Sequence, residues 1–238
     1  MLRIGQNAGD MADALDLSPE TDASARDVKR SPVDASGSDS AKRRQILDGA
    51  RRVFLAHGFD GASMGEIAKA AGVSKGTLYV YFDSKEALFE ALIVEERRSL
   101  AEVLFHLDAD ETDPRSVLRR LGLSFLQMMV RPEHMSSIRM VIGAVEKFPR
   151  FGQSFYEAGP RQGARRLQAY LDAQVEAGRL SIADTELAAH HFLDLCQSGI
   201  LRHVLLTGLA PAADEMTRNV DEAIRVFFAA YGPEVRAG

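Results

Sequence analysis

The stretch that decides the fold runs from Ser63 to Phe82 and reads SMGEIAKAAGVSKGTLYVYF. Ser63 and Glu66 have the spacing of a capping box, in which a serine and a glutamate three positions later close the start of a helix. Gly72 interrupts the helix that follows, and Ser74 can cap a second one. Two short helices joined by a glycine-containing turn are typical of a helix-turn-helix.

The second of these helices has two different faces. Leu78 and Phe82 are four residues apart, and we expect them to be buried. Lys75 and Tyr79 share another face, and tyrosines beside a lysine suit a surface that meets phosphates and base edges. We also expect a phosphate contact from the first turn of the next helix. The predicted DNA-binding residues are Ser63, Lys75, Gly76, Thr77, Tyr79, Val80, Tyr81 and Lys85.

The sequence around this stretch also predicts helices. Before it, an apolar stripe from Ile46 to Phe54 indicates a helix that ends near Gly58, with Phe59 packing back on Phe54. After it, a capping pattern at Asp83 begins a helix that continues to about residue 107. Residues 1–39 are rich in Asp, Ser and Ala and have no lasting apolar period, which predicts a disordered arm.

Beyond Pro114 the chain offers only helical periods, and no segment alternates as a strand does. The predicted fold class is all-α. We expect an arm over 1–39, a three-helix helix-turn-helix DNA-binding domain over 40–86, and a helical effector-binding and dimerisation domain over 87–238. The helices predicted in this last domain lie near 114–131, 134–147, 152–177, 184–208 and 213–231.

The run from Gly58 to Leu88 resembles the TetR family of transcriptional regulators. The likeness covers residues 43–93 and includes the Gly72-Val73 turn and a Leu-Tyr-x-Tyr-Phe pattern over residues 78–82. It implies a homodimer that binds palindromic operators, usually to repress, and a C-terminal pocket whose occupancy spreads the two DNA-binding heads. From Phe148 onward, the chain resembles one C-terminal subgroup more loosely, which does not identify a ligand.

Methionine and aromatic residues in the middle helices are candidates for the effector pocket, because such side chains adapt to varied apolar ligands. The same residues can equally be ordinary core. As a set they favour an apolar or amphipathic effector. The candidates are Phe125, Met128, Met129, Met140, Phe155 and Tyr156.

The last two predicted helices carry apolar stripes that can form an isologous four-helix interface between two copies. The alternative is that the stripes only complete the core of one chain. The candidate dimer-interface residues are Phe192, Leu195, Leu201, Ile224, Phe227 and Phe228.

His190 and Asp194 are four residues apart on a helix, which is a spacing that can chelate a metal. Cys196 lies on a different face, and no third ligand has suitable spacing, so we predict no metal and no cofactor. The sequence also lacks the phosphate-binding, dinucleotide-binding and nucleophile-elbow motifs of common enzymes. We therefore expect a protein that is not an enzyme.

Composition fits this interpretation. The chain has 238 residues, 46 % of them hydrophobic, and a formal net charge of −5, which does not exclude a small basic DNA-binding module. A single cysteine and the lack of long apolar runs favour a cytoplasmic protein without a membrane span.

The sequence thus predicts a DNA-binding transcriptional regulator with three partners: double-stranded DNA, a small-molecule effector and a second copy of the chain. The expected activity is repression that is relieved by the effector. Two alternatives remain: a DNA-binding or chromosome-organising protein without an effector, and a metal-responsive regulator.

Overall fold

The computed structural model describes residues 32–233 except 109 and 110, and only the backbone of residues 32–38. The chain divides into two units, one up to Ser38 and one from Asp39 onward; the unit from Asp39 is the subject below. Within the described ranges all regular structure is helical, which confirms the predicted fold class. The helices are α1 Pro32–Gly61, α2 Met64–Ala71, α3 Lys75–Tyr81, α4 Lys85–Leu104, α5 Pro114–Met129, α6 Pro132–Ala144, α7 Pro149–Ala158, α8 Pro160–Glu176, α9 Thr185–Gln197, α10 Ile200–Thr207 and α11 Ala213–Tyr231.

The first core joins α1, α2 and α3, and a glycine sets how closely two of them approach. A Cβ on Gly49 of α1 would lie 2.6 Å from the Cα of Ala71 at the end of α2. Gln45, one turn earlier, donates a 2.6 Å hydrogen bond to the Ala71 carbonyl. The apolar stripe of α1 is buried against these helices, as the sequence predicts.

Five phenylalanines extend this first core from the head into α4 and α7. Phe59 and Phe89 have ring centroids 5.0 Å apart, and Phe89 and Phe151 are 4.9 Å apart. Edge-to-face packing at these distances stabilises beyond simple burial. The core therefore does not end at the predicted boundary near residue 86. The five rings belong to Phe54, Phe59, Phe89, Phe148 and Phe151.

The second core lies in the C-terminal body, where α5, α8, α9 and α11 pack together. Gly122 of α5 allows a close approach, because a Cβ there would lie 2.9 Å from the Cys196 sulfur and 2.9 Å from a methyl carbon of Val220. Within the described part of the chain, none of the helices is long and apolar enough to cross a membrane.

The structure corrects two predicted helices. The helix predicted over 152–177 is two helices, because Gly159 and Pro160 interrupt it. The helix predicted over 184–208 breaks at Gly199, which has a φ of 77°. Of the arm predicted over 1–39, the part from Pro32 onward belongs to α1, and the rest lies outside the described residues.

Candidate DNA-binding surface and body cavity

The turn between α2 and α3 is built from capping contacts. The Ser63 hydroxyl accepts from the Glu66 amide at 3.2 Å, and the Glu66 carboxylate accepts from the Ser63 amide at 3.1 Å. Gly72 ends α2 with a φ of 65°, a conformation that favours glycine. Ser74 then accepts from the Thr77 amide at 3.0 Å and starts α3. These contacts fix the angle between the two helices.

Helix α3 is anchored on one face and open on the other. Leu78 is fully buried, and Phe82, just after the helix, is 6 % exposed. On the opposite side, Tyr79 is 50 % and Val80 is 81 % exposed, and Lys75 is exposed as well. The division of faces inferred from the sequence is therefore present in the structure. An anchored short helix with an outward lysine and tyrosine has the form of a recognition helix.

Two predicted contact residues of α3 are less open. Thr77 is half-buried, and its hydroxyl lies 2.8 Å from that of Ser74. Tyr81 is also half-buried, and its hydroxyl donates a 2.6 Å hydrogen bond to the Asp39 carboxylate of α1. This bond raises the pKa of Tyr81. Because the Tyr81 proton is committed to Asp39, the hydroxyl offers DNA only an acceptor.

Lys85, for which the sequence predicted a phosphate contact, donates to backbone carbonyls in the structure. Its ammonium group donates to the carbonyls of Phe59, Asp60 and Ala62 at 2.7, 3.3 and 3.0 Å. It also lies 4.6 Å from the centre of the Phe59 ring. A lysine has three donors, and here all of them are occupied by carbonyls that follow the kink of α1 at Gly58, where φ is 71°. The sequence pattern could not show where this side chain turns.

Charge is distributed unevenly between the head and the rest of the chain. Residues 40–86 contain eight Lys and Arg against five Asp and Glu, whereas the whole chain has 29 against 34. The acidic excess therefore lies outside the head. A locally basic module is compatible with nucleic acid even when the chain is acidic overall.

The body contains a cavity of about 260 Å³, slightly smaller than the roughly 300 Å³ at which the usual range of ligand pockets begins. The helices from α4 to α9 contribute its walls. Five of the six predicted effector residues line it: Phe125, Met128, Met129, Phe155 and Tyr156. Met140 does not, because it packs against the first core instead.

Two polar residues of the cavity wall were missed by the sequence analysis. Arg97 of α4 is 4 % exposed, and one of its terminal nitrogens (Nη1) lies 2.9 Å from Nδ1 of His134. Burial lowers the pKa of Arg97 to about 10. Burial and the neighbouring Arg97 charge lower the pKa of His134 to about 3. The sequence contained a signal for Arg97, because this arginine is four residues from both Ile93 and Ala101 and so lies on an otherwise apolar stripe of the helix.

Three of the six candidate dimer-interface residues lie in the core of a single chain. Phe192, Ile224 and Phe227 are 0, 4 and 0 % exposed and belong to the second core. Phe227 also borders a groove between α9 and α11. Leu195, Leu201 and Phe228 remain partly exposed. An apolar stripe does not by itself indicate which helix covers it.

His190 and Asp194, the pair considered for metal binding, both line the cavity. The neighbouring His191 lies elsewhere and shares a 2.7 Å hydrogen bond with the Tyr231 hydroxyl. Among the described residues, no three His, Cys, Asp or Glu side chains are grouped so that they could hold a metal. Cys196 is buried, and desolvation raises the pKa of its thiol to about 12.

An anchored, outward-facing helix after a capped turn, in front of an all-helical body, defines a protein with a helix-turn-helix head. Comparison with known proteins extends this. Residues 46–92 match the model described as bacterial regulatory proteins, tetR family, and residues 116–233 match that of the AefR-like transcriptional repressor, C-terminal domain. The chain is 45 % identical over 64 residues to the HTH-type transcriptional repressor Rv1474c of Mycobacterium tuberculosis, which is 27 % of this chain and 34 % of that protein.

Solved structures match over most of the chain. The flavonoid-responsive regulator FrrA is 31 % identical with a TM-score of 0.70, and the match covers 82 % of this chain and 100 % of that chain. A TetR-family regulator from Mesorhizobium loti is 25 % identical with a TM-score of 0.77, covering 81 % of this chain and 98 % of that one. Matches to the first curated relatives span only 34 to 38 % of their length.

The chain belongs to the TetR family of bacterial regulatory proteins. This confirms the family inferred from the Gly58–Leu88 run. Because the family is one of transcriptional regulators, it also supports the prediction that the protein is not an enzyme.

Proposed function

We propose that this protein is a dimeric repressor of transcription that binds palindromic operator DNA through α3 and is released by a small amphipathic molecule in the body cavity. The observation that carries the proposal is the outward face of α3, where Lys75, Tyr79 and Val80 stand exposed while Leu78 anchors the helix. A major groove admits one helix, and base edges there are read by side chains of this kind. Such a regulator acts in the cytoplasm, beside the chromosome.

The dimer rests on exposed apolar positions of α9 and α11. Leu187 is 49 % and Val226 is 39 % exposed, and Leu195 joins Val226 in a shallow groove between the two helices. The aliphatic side chains of one copy can cover those of the other in an isologous contact. Two heads held in this way would meet half-sites about one helical turn apart, or 34–36 Å.

The effector part of the proposal rests on the cavity. Its wall combines aromatic and methionine side chains with a few polar groups, which is the usual composition of a small-molecule site. FrrA, the structural relative at 31 % identity, is described as flavonoid-responsive. We therefore propose an effector with a flat aromatic or other apolar body.

The experiment that tests this function is selection of DNA from a random pool by the full chain, followed by sequencing. The proposal expects an inverted repeat with half-sites separated by about one turn. Affinity for the selected duplex should fall steeply with salt, because phosphate contacts release counterions. Leu187→Glu should weaken the dimer and the DNA complex together, with the exposed Leu206→Glu as its control. Recovery of no common motif would contradict the proposal.

A further inference from the structure

The cavity wall contains a positive charge that the protein itself barely neutralises. Arg97 is 96 % buried in a wall that is otherwise mostly apolar. A buried guanidinium is costly unless a carboxylate or several hydrogen bonds compensate it. Gly159 makes room for this side chain, since a Cβ there would lie 3.1 Å from the Cδ of Arg97. The fold thus accommodates an arginine at a position where an apolar residue would have no desolvation penalty.

The partners of Arg97 are weak. His134, its closest polar neighbour, is neutral because its pKa is lowered to about 3. The carboxylate that pairs with Arg97, that of Glu96, is 3.9 Å away and is already bound to Arg51 at 2.7 Å. The Nε atom of Arg97 is buried without a hydrogen-bond partner. The guanidinium of Arg97 can therefore donate a hydrogen bond to a ligand in the cavity.

Phe155 fixes the direction of the charge. Its ring centre lies 4.5 Å from the central carbon of the Arg97 guanidinium, and both residues line the cavity. Stacking on the ring holds the planar group while leaving edge donors for a planar anion. The cavity thus combines one oriented cation with aromatic walls. The wall also contains the Asp194 carboxylate, which accepts a hydrogen bond from the Gln197 amide at 3.0 Å.

We infer that the effector is an organic anion, with a carboxylate or phenolate that pairs with Arg97 and an apolar aromatic body that fills the rest of the cavity. This inference rests on the proposed function of the cavity as the effector site. It adds the charge of the ligand, which the apolar lining alone does not indicate. Anionic and neutral ligands of the same shape should therefore bind with different affinities.

The test uses two probes of the same shape, 2-naphthoate and its neutral counterpart 2-naphthamide, titrated calorimetrically into the full chain at pH 7.5. We expect wild-type protein to bind the anion at least tenfold more tightly than the amide. Arg97→Met should remove that preference and change amide affinity less than threefold. Arg97→Lys should restore part of the preference, because it restores the charge. Arg98→Met is the matched control, since Arg98 is the next residue on α4 and its side chain is 63 % exposed.

Each outcome decides a different claim. Equal binding of both probes by wild-type protein, or an unchanged preference in Arg97→Met, would overturn the anion inference and leave the cavity as a ligand site. Binding of neither probe would overturn both the inference and the proposed role of the cavity for aromatic effectors. Loss of amide binding in Arg97→Met, with a lowered melting temperature, would show that Arg97 supports the wall and would also overturn the inference.

Discussion

The head and the body of this protein use their interiors in opposite ways. The first core, which the head shares with α4 and α7, is closed by phenylalanine rings about 5 Å apart, and the exposed lysine and tyrosine of the head lie outside it, on α3. The body covers most of its helices but leaves a cavity of about 260 Å³ inside, with a buried arginine in the wall. A partner as large as DNA requires an outer face on a firm base, whereas a small ligand requires an enclosed space.

This difference has an energetic consequence. A close-packed core gains dispersion contacts on every side of each ring, whereas a side chain that faces a cavity lacks partners on one side. Stability is therefore expected to be concentrated in the first core, around α1, α4 and α7. A ligand in the cavity, as proposed above, would add to the stability of the body by binding only the folded state.

The largest expected effect comes from truncating one ring in each region. Phe89→Ala should lower the free energy of unfolding by about 3–5 kcal/mol, because Phe89 contacts Phe54, Phe59 and Phe151 with centroids 4.9, 5.0 and 4.9 Å away. Phe125→Ala should cost about 1–2 kcal/mol less, since its ring faces the cavity. Urea unfolding at one fixed protein concentration measures both. Equal losses would show that the two cores are equally well packed.

His134, which contacts Arg97 in the cavity wall, should make the stability of the protein depend on pH. Because the pKa of His134 is lowered to about 3 in the folded chain, the unfolded chain binds a proton more readily between about pH 6.5 and 3. This stabilising contribution is present above pH 6.5 and is lost as pH falls. From pH 7 to 5 the free energy of unfolding should drop by about 2 kcal/mol from this group.

His134→Gln should remove that drop, and His106→Gln, at an exposed position, should keep it. Urea titrations at pH 7 and pH 5 provide the comparison. The same pH dependence in wild type and in His134→Gln would contradict the assigned pKa.

Lys85 and Lys75, both in the head, should differ in their effects on stability and on DNA binding. Lys85→Met should lower the free energy of unfolding by about 1–2 kcal/mol, because the Phe59 and Ala62 carbonyls lose a charged donor. Lys75→Met should change it by less than about 0.5 kcal/mol, as is usual at exposed positions.

The salt dependence of DNA binding should show the reverse order. For Lys75→Met the slope of log affinity against log salt should fall by about one, as for one lost phosphate contact. For Lys85→Met the slope should be unchanged. A reduced slope for Lys85→Met would return that residue to the role that the sequence predicted.

The sequence was sufficient for the head because its local signals are strong. The capping box at Ser63, the glycine at position 72 and the spacing of Leu78 and Phe82 determine where helices begin, end and pack. These signals depend on neighbouring residues only, so a pattern can show them. The same holds for the family resemblance, which the comparisons confirm.

The body was less predictable because its features arise between distant helices. The stripe that holds Phe192 and Phe227 indicated burial correctly but not whether α5 or a second chain covers it. Lys85 and Arg97 take their roles from contacts more than twenty residues away in sequence. The break at Gly199 has no stop signal other than the glycine itself, whereas the break at Gly159 has a Gly-Pro pair that the sequence analysis did not use. Most of the residues predicted for the effector pocket do line one cavity. The prediction selected methionine and aromatic side chains, which are typical of small-molecule sites.

The measurement that tests the central claim most directly is the affinity of Tyr79→Ala for the selected operator, read by fluorescence anisotropy. Tyr156→Ala is the matched control, since Tyr156 is 49 % exposed in the body and Tyr79 is 50 % exposed on α3. We predict a loss of about tenfold for Tyr79→Ala, about 1.4 kcal/mol, with an unchanged melting temperature, and no loss for Tyr156→Ala. Equal affinity of wild type and Tyr79→Ala would contradict the assignment of α3 as the helix that reads DNA.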